Sequence, residues 1–131
     1  MNNMSDTRIG KTIMRKTYED IDKGEQLLKT LVEAFCEAVY LDPILWRTPK
    51  ACEEAEAAKT DLQVAQTVGA DAPPSVRREA ITVAIQSVHR RVDYVNTLRP
   101  RHDPYEGRRK RPYDHLDAYV GTAVEWVNSS P

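Results

Sequence analysis

Thr17-Tyr-Glu-Asp-Ile-Asp-Lys-Gly-Glu-Gln-Leu-Leu-Lys-Thr-Leu-Val-Glu-Ala-Phe-Cys-Glu-Ala-Val-Tyr40 decides the fold class. Ile21, Leu28, Leu31, Val32, Phe35 and Val39 recur at spacings of three and four, while Glu19, Asp22, Gln26, Glu33 and Glu37 fall on the opposite side. That period places the apolar side chains along one stripe of a helix. Thr17 suits the cap position, and Glu19 and Asp20 suit the first turn, where negative charge complements the helix dipole. Upstream, residues 1–16 carry Arg8, Lys11, Arg15 and Lys16 among isolated Ile9, Ile13 and Met14, and read as a flexible N-terminal arm. The domain proper is then expected over 17–131.

Downstream, Pro43 ends the first helix. The segment Leu41-Asp-Pro-Ile-Leu-Trp46 is too apolar for a solvated loop, so Ile44, Leu45 and Trp46 are expected to fold over the bundle end or to form a partner patch. Thr48-Pro49 marks a second helix start, with Ala51, Ala55, Ala58, Leu62 and Ala65 as its buried stripe and Gly69 as its stop. Small side chains there permit close approach of a neighbouring helix. Ser75 opens a third helix whose core face is Ile81, Ala84, Ile85, Val88, Val92 and Val95. Valine and isoleucine favour strands in isolation, but the spacing over five turns decides for helix. A fourth helix is expected after Pro112, with Leu116, Tyr119, Val120, Ala123 and Val127 inward. Four amphipathic helices argue for an all-α, antiparallel four-helix bundle with a long basic loop between helices 3 and 4.

That loop, Arg99 to Pro112, holds six basic side chains, three prolines and a glycine. Helix-to-helix links usually run about 2–8 residues, and longer ones tend to be functional or disordered. Arg99, Arg101, Arg108, Arg109, Lys110 and Arg111 suit phosphate, since the guanidinium fork can donate paired hydrogen bonds. Tyr105 supplies a face on which an unpaired base can stack. Arg90 and Arg91, with Arg77 and Arg78, extend the basic patch along the third helix. The formal net charge of −1 hides a division. Residues 17–61 hold eleven acidic and five basic side chains, a net of −6, and residues 77–111 hold ten basic and four acidic, a net of +6. Such a division either joins the two halves of one bundle or presents a basic face to a polyanion.

The interval from Arg109 to His115 has the form Arg-x5-His. It resembles the arginine–histidine motif of HEPN-type helical ribonucleases, which are also small helical bundles. The resemblance implies that Arg109 stabilises charge on a scissile phosphate and that His115 transfers a proton. The acidic run Glu53, Glu54, Glu56 and Asp61, with Glu33 and Glu37, resembles the acidic pairs of magnesium-dependent helical nucleotide pyrophosphohydrolases, but these residues fall on solvent faces and are expected to be a charged exterior. The scattered glycines form no phosphate-cradling loop. The two cysteines, Cys36 and Cys52, have no metal-ligand spacing and read as free thiols in a reducing compartment rather than a disulfide. No apolar run approaches the roughly 20 residues that span a bilayer.

The expectation is therefore a cytoplasmic, non-enzymatic interaction or adaptor protein, of the sort found among small phage or plasmid accessory proteins. It would contact a partner protein, a second copy of itself or nucleic acid through the Arg-rich loop, without membrane, metal or cofactor. The alternatives are a HEPN-like metal-independent ribonuclease or toxin, and a structural subunit of a larger assembly.

Overall fold

The computed structural model describes the backbone of residues 3–69, 71–98 and 110–129, and the side chains of 16–69, 71–98 and 115–129. Four helices make up an all-α bundle: α1 (Asn3–Tyr40), α2 (Pro49–Thr67), α3 (Pro74–Thr97) and α4 (Lys110–Asn128). A 3-10 turn, Leu45–Arg47, sits between α1 and α2.

Three boundaries differ from those read in the sequence. The backbone of α1 is helical from Asn3, so the 1–16 arm is continuous with α1 from that residue on and Thr17 lies inside the helix rather than capping it. No proline precedes Pro43, and Gly10 alone weakens helix without stopping it. At the other end of the chain, α4 begins at Lys110, two residues before Pro112. Proline is tolerated there because the first-turn N–H groups have no intrahelical acceptor. The backbone of Lys110 and Arg111 is therefore helix rather than loop. Lastly, α3 opens at Pro74, with Pro73 rather than Ser75 at the cap position.

The core matches the helical stripes. Ile21, Leu28, Leu31, Val32, Phe35 and Val39 of α1 are buried against Ile81, Ala84, Ile85, Val88, Val92 and Val95 of α3 and Ala51, Ala55, Ala58 and Ala65 of α2. Leu116, Ala123 and Trp126 complete it from α4. Trp126 was absent from the inward face expected of α4, yet its large ring is buried. Packing is uneven around the bundle: α1 touches each of the other three helices, whereas α2 and α4 share no contact among the described residues. The cross-section is thus a rhombus whose short diagonal joins α1 and α3. The alanine stripe of α2 fits this shape, since it lets α2 lie close over both.

Gly24 shows why α1 can also hold α4 closely. It falls between Ile21 and Leu28 on the core stripe, and a Cβ built there would run into the indole of Trp126. The indole Nε1–H donates to the Asp20 carbonyl at 2.9 Å, and the Arg78 guanidinium lies 4.2 Å from the ring centre. Arg78 also donates to the Trp126 and Ser129 carbonyls at the end of α4 and pairs with the Asp20 carboxylate. One arginine therefore satisfies carbonyls that a helix terminus leaves open and ties α1, α3 and α4 together. Among the described residues no helix is long and apolar enough to cross a membrane.

Candidate functional site

The α1–α2 corner is built on Asp42, a buried aspartate. Its Oδ1 accepts hydrogen bonds from the backbone N–H groups of Ile44 at 2.8 Å and Leu45 at 2.9 Å. This is the local turn that aspartate side chains favour, because the carboxylate replaces a backbone acceptor two and three residues on. It drives Leu45 into the core, where it is fully buried. Of the three residues proposed as a partner patch, Leu45 is thus a core anchor rather than a contact residue, and Ile44 is half-buried. Trp46 remains 49% exposed and Leu41 67% exposed. The Arg47 guanidinium stacks on Trp46 at 4.6 Å from the ring centre. Thr48 adds a hydrogen bond to the Ile44 carbonyl at 3.1 Å, so the corner is held from both sides.

The adjacent turn of α1 is joined to α2 by Tyr40, whose hydroxyl donates to Glu56 Oε1 at 2.7 Å. Lys59 pairs with the same carboxylate at 3.2 Å. The hydrogen bond to Glu56 pushes the Tyr40 hydroxyl up from 10.0 to about 12. Donation from Tyr40, then from Lys59, holds the Glu56 carboxyl below the usual carboxylate range. Tyr40 did not stand out in the sequence, because a tyrosine at a helix end is ordinary, and Glu56 was read only as part of the acidic run on a solvent face.

The basic residues divide sharply. Arg91, expected to extend a polyanion surface, is instead committed to α2: its Nε lies 2.9 Å from Asp61 Oδ2 and its Nη1 2.9 Å from Glu54 Oε2. Ser87 donates to the same Asp61 oxygen at 2.8 Å. Hydrogen bonding to Asp61, and then to Glu54, drives the Arg91 pKa further up, against the effect of burial. Arg77 lies near Asp22 and Glu25 at 3.7 and 3.4 Å, and Arg78 is held as described above. Arg90 is exposed and lines, with Glu54, Ser87, Arg91 and Tyr94, an open groove of about 390 Å³ between α2 and α3. The acidic side chains that suggested a metal-dependent hydrolase thus have a structural use in Glu54, Glu56 and Asp61, and no group of three potential metal ligands occurs among the described residues.

Arg99, Arg101, Tyr105, Arg108 and Arg109 lie outside the described residues, as do the side chains of Lys110 and Arg111. His115 is exposed on α4, its ring stacked at 6.4 Å on Tyr119 four residues on. Cys36 and Cys52 are free thiols. Cys36 is buried with its Sγ 3.5 Å from the Ala55 carbonyl; burial first of all pushes the thiol up, away from the reactive thiolate.

The fold and corner define the class: an all-α bundle carrying an exposed aromatic and aliphatic pair on a rigidly capped turn. Comparison with protein families, with curated proteins and with solved structures yields no match.

Proposed function

We infer that the protein is a non-enzymatic helical interaction or adaptor protein. The observation that carries this reading is the α1–α2 corner, where Leu41 and Trp46 stand out from a turn fixed by Asp42 and Leu45. Tryptophan is enriched among residues that dominate binding energy, and a pre-ordered turn loses little entropy on docking. The partner contacted there is a protein offering an apolar pocket.

The Arg-rich segment 99–111 serves as a second contact, to nucleic acid or an acidic protein surface. Its support is compositional, strengthened by the commitment of Arg77, Arg78 and Arg91 inside the bundle. A reducing, cytoplasmic setting agrees with the two free thiols. The test is parallel affinity capture from native-host extract with the wild type and with Leu41→Ala/Trp46→Ala, in arms with and without nuclease. A partner protein captured by the wild type in both arms and lost by the double variant, whose circular dichroism stays unchanged, supports the reading. An identical protein set for both baits overturns it.

A further inference from the structure

The outward face of α3 carries a stripe of exposed side chains. Val76, Val83 and Arg90 are seven residues apart, and so are Glu79, Gln86 and Asp93. Two such series offset by three lie on one continuous stripe of a helix, of which Val76 and Val83 are the apolar members. All six residues are exposed. Val76 is 48% and Val83 52% exposed, unusual positions for β-branched aliphatic side chains in the middle of a charged surface.

The flank of α2 widens the apolar strip. The Ser87–Asp61 hydrogen bond joins α3 to α2; Val83 lies about one turn before Ser87 and Val64 about one turn after Asp61. Val64 is itself exposed. At the other end of the seam lies the groove lined by Tyr94, Arg90, Ser87, Arg91 and Glu54.

Charge selects both the occupant and its direction. Among the described residues Glu79 and Arg90 take part in no ion pair, although Arg77, Arg78 and Arg91 on the same helix all do. We propose that α3 packs on α3 of a second copy in antiparallel register, as a two-fold symmetric dimer. In that register Glu79 faces Arg90 of the second copy, Val83 faces Gln86 and lies across from the second Val83, and Val76 faces Asp93 at the edge of the groove beside Tyr94. A two-fold contact makes each of these twice. The parallel alternative would set Arg90 against its own copy and Glu79 against its own, like charges in each case, which disfavours it. This surface is separate from the Leu41–Trp46 corner and does not depend on the function assigned to it.

The test is sedimentation equilibrium on the full chain at near-physiological salt, with far-ultraviolet circular dichroism to confirm that each variant is folded. The wild type is expected to dimerise. Glu79→Arg and Arg90→Glu each introduce two like-charge contacts per dimer and weaken association by roughly tenfold. The double reversal restores the opposite-charge pairs and recovers most of the wild-type affinity. Val83→Glu gives a monomer. A wild type that stays monomeric at high concentration overturns the proposal, as does a dimer indifferent to both reversals. A double variant weaker than either single one overturns it too, and so does a dimer broken by Trp46→Ala but untouched by Val83→Glu.

Discussion

Replacing Gly24 by alanine is expected to destabilise the protein, against the usual behaviour of the substitution. In a helix interior Gly→Ala gains about 1 kcal/mol, because alanine restricts the unfolded chain and favours helix. At position 24 the added methyl group would meet the six-membered ring of the buried Trp126 indole well inside van der Waals contact. A rigid ring packed in a core cannot yield cheaply, and overpacking of this kind costs about 1–3 kcal/mol. If the indole moves, its hydrogen bond to the Asp20 carbonyl is stretched, about 1 kcal/mol, and the Arg78 guanidinium loses its seat on the ring, about 0.5–1 kcal/mol. Set against the propensity gain, the outcome is a loss of about 2–3 kcal/mol. At this chain length that lowers the melting temperature by very roughly 10 °C. Gly121 provides the control: it is exposed on α4, and a Cβ there meets nothing within 4 Å. Gly121→Ala is therefore expected to stabilise by about 0.5–1 kcal/mol. The assay is urea unfolding followed by far-ultraviolet circular dichroism, run also in a Trp126→Ala background, where the obstacle is gone. There Gly24→Ala becomes neutral or stabilising, giving a coupling of about 2–4 kcal/mol between the two positions. Stabilisation by Gly24→Ala equal to that by Gly121→Ala, or a cost that is the same with and without the indole, would refute the clash with Trp126.

Two further perturbations probe the corner. Asp42→Ala removes the acceptor for the Ile44 and Leu45 N–H groups, one of them buried, and is expected to cost about 1–3 kcal/mol. Asp42→Asn, which keeps a carbonyl oxygen in place, should lose clearly less, and equal losses in urea unfolding would refute the capping role. The Tyr40–Glu56 bond should stabilise the fold over a defined pH window. Tyr40 has a raised value, so its contribution is fully present below the ordinary tyrosine value of 10.0 and disappears as pH rises through about 12. Glu56 has a lowered value, so its contribution is present above its ordinary 4.5 and is lost as pH falls through the lowered value. Ultraviolet titration of the phenol should accordingly show one tyrosine ionising late in the wild type and distinctly earlier, nearer the ordinary position, in Glu56→Gln.

How much of this was legible beforehand follows from what each feature depends on. The α1 and α3 core residues were legible because burial on one helical face leaves a period in the sequence, and every residue of those two stripes is buried. The indole of Trp126 was not, since it lies beside the Leu116–Ala123 stripe and is drawn inward by the space Gly24 leaves on a helix far away in sequence. The only available signal was a glycine on a core stripe with no turn to justify it. Leu45 and Trp46 read alike as apolar neighbours; only the Asp42 turn turns one inward and leaves the other out. The extension of α1 back to Asn3 leaves no apolar period in the sequence. Propensity and the absence of proline carry a helix beyond the point where its apolar stripe thins, and caps such as Thr17 are permissive rather than obligatory.

The charge division of the chain bears on what each surface can bind. From the sequence, a net negative first half and a net positive second half could equally join or repel a partner, and counting charges cannot distinguish the two. The structure pairs Arg77 with Glu25 and Asp22, Arg78 with Asp20, and Arg91 with Glu54 and Asp61. Apart from Arg77–Asp22, whose aspartate is largely exposed, these pairs are partly shielded and hydrogen-bonded, so removing one partner would strand the other, which keeps the arginines from being lent to an outside phosphate. An electrostatic patch estimated from sequence along α3 therefore shrinks to Arg90. What remains on that helix is a seam in which one cation, Arg90, and two anions, Glu79 and Asp93, are offset from two valines. Such a pattern is poor at attracting a uniformly charged polymer and well matched to its own mirror in direction. The polyanion contact proposed above therefore rests on the composition of 99–111 alone, and the contact proposed for α3 is with a surface as mixed as itself.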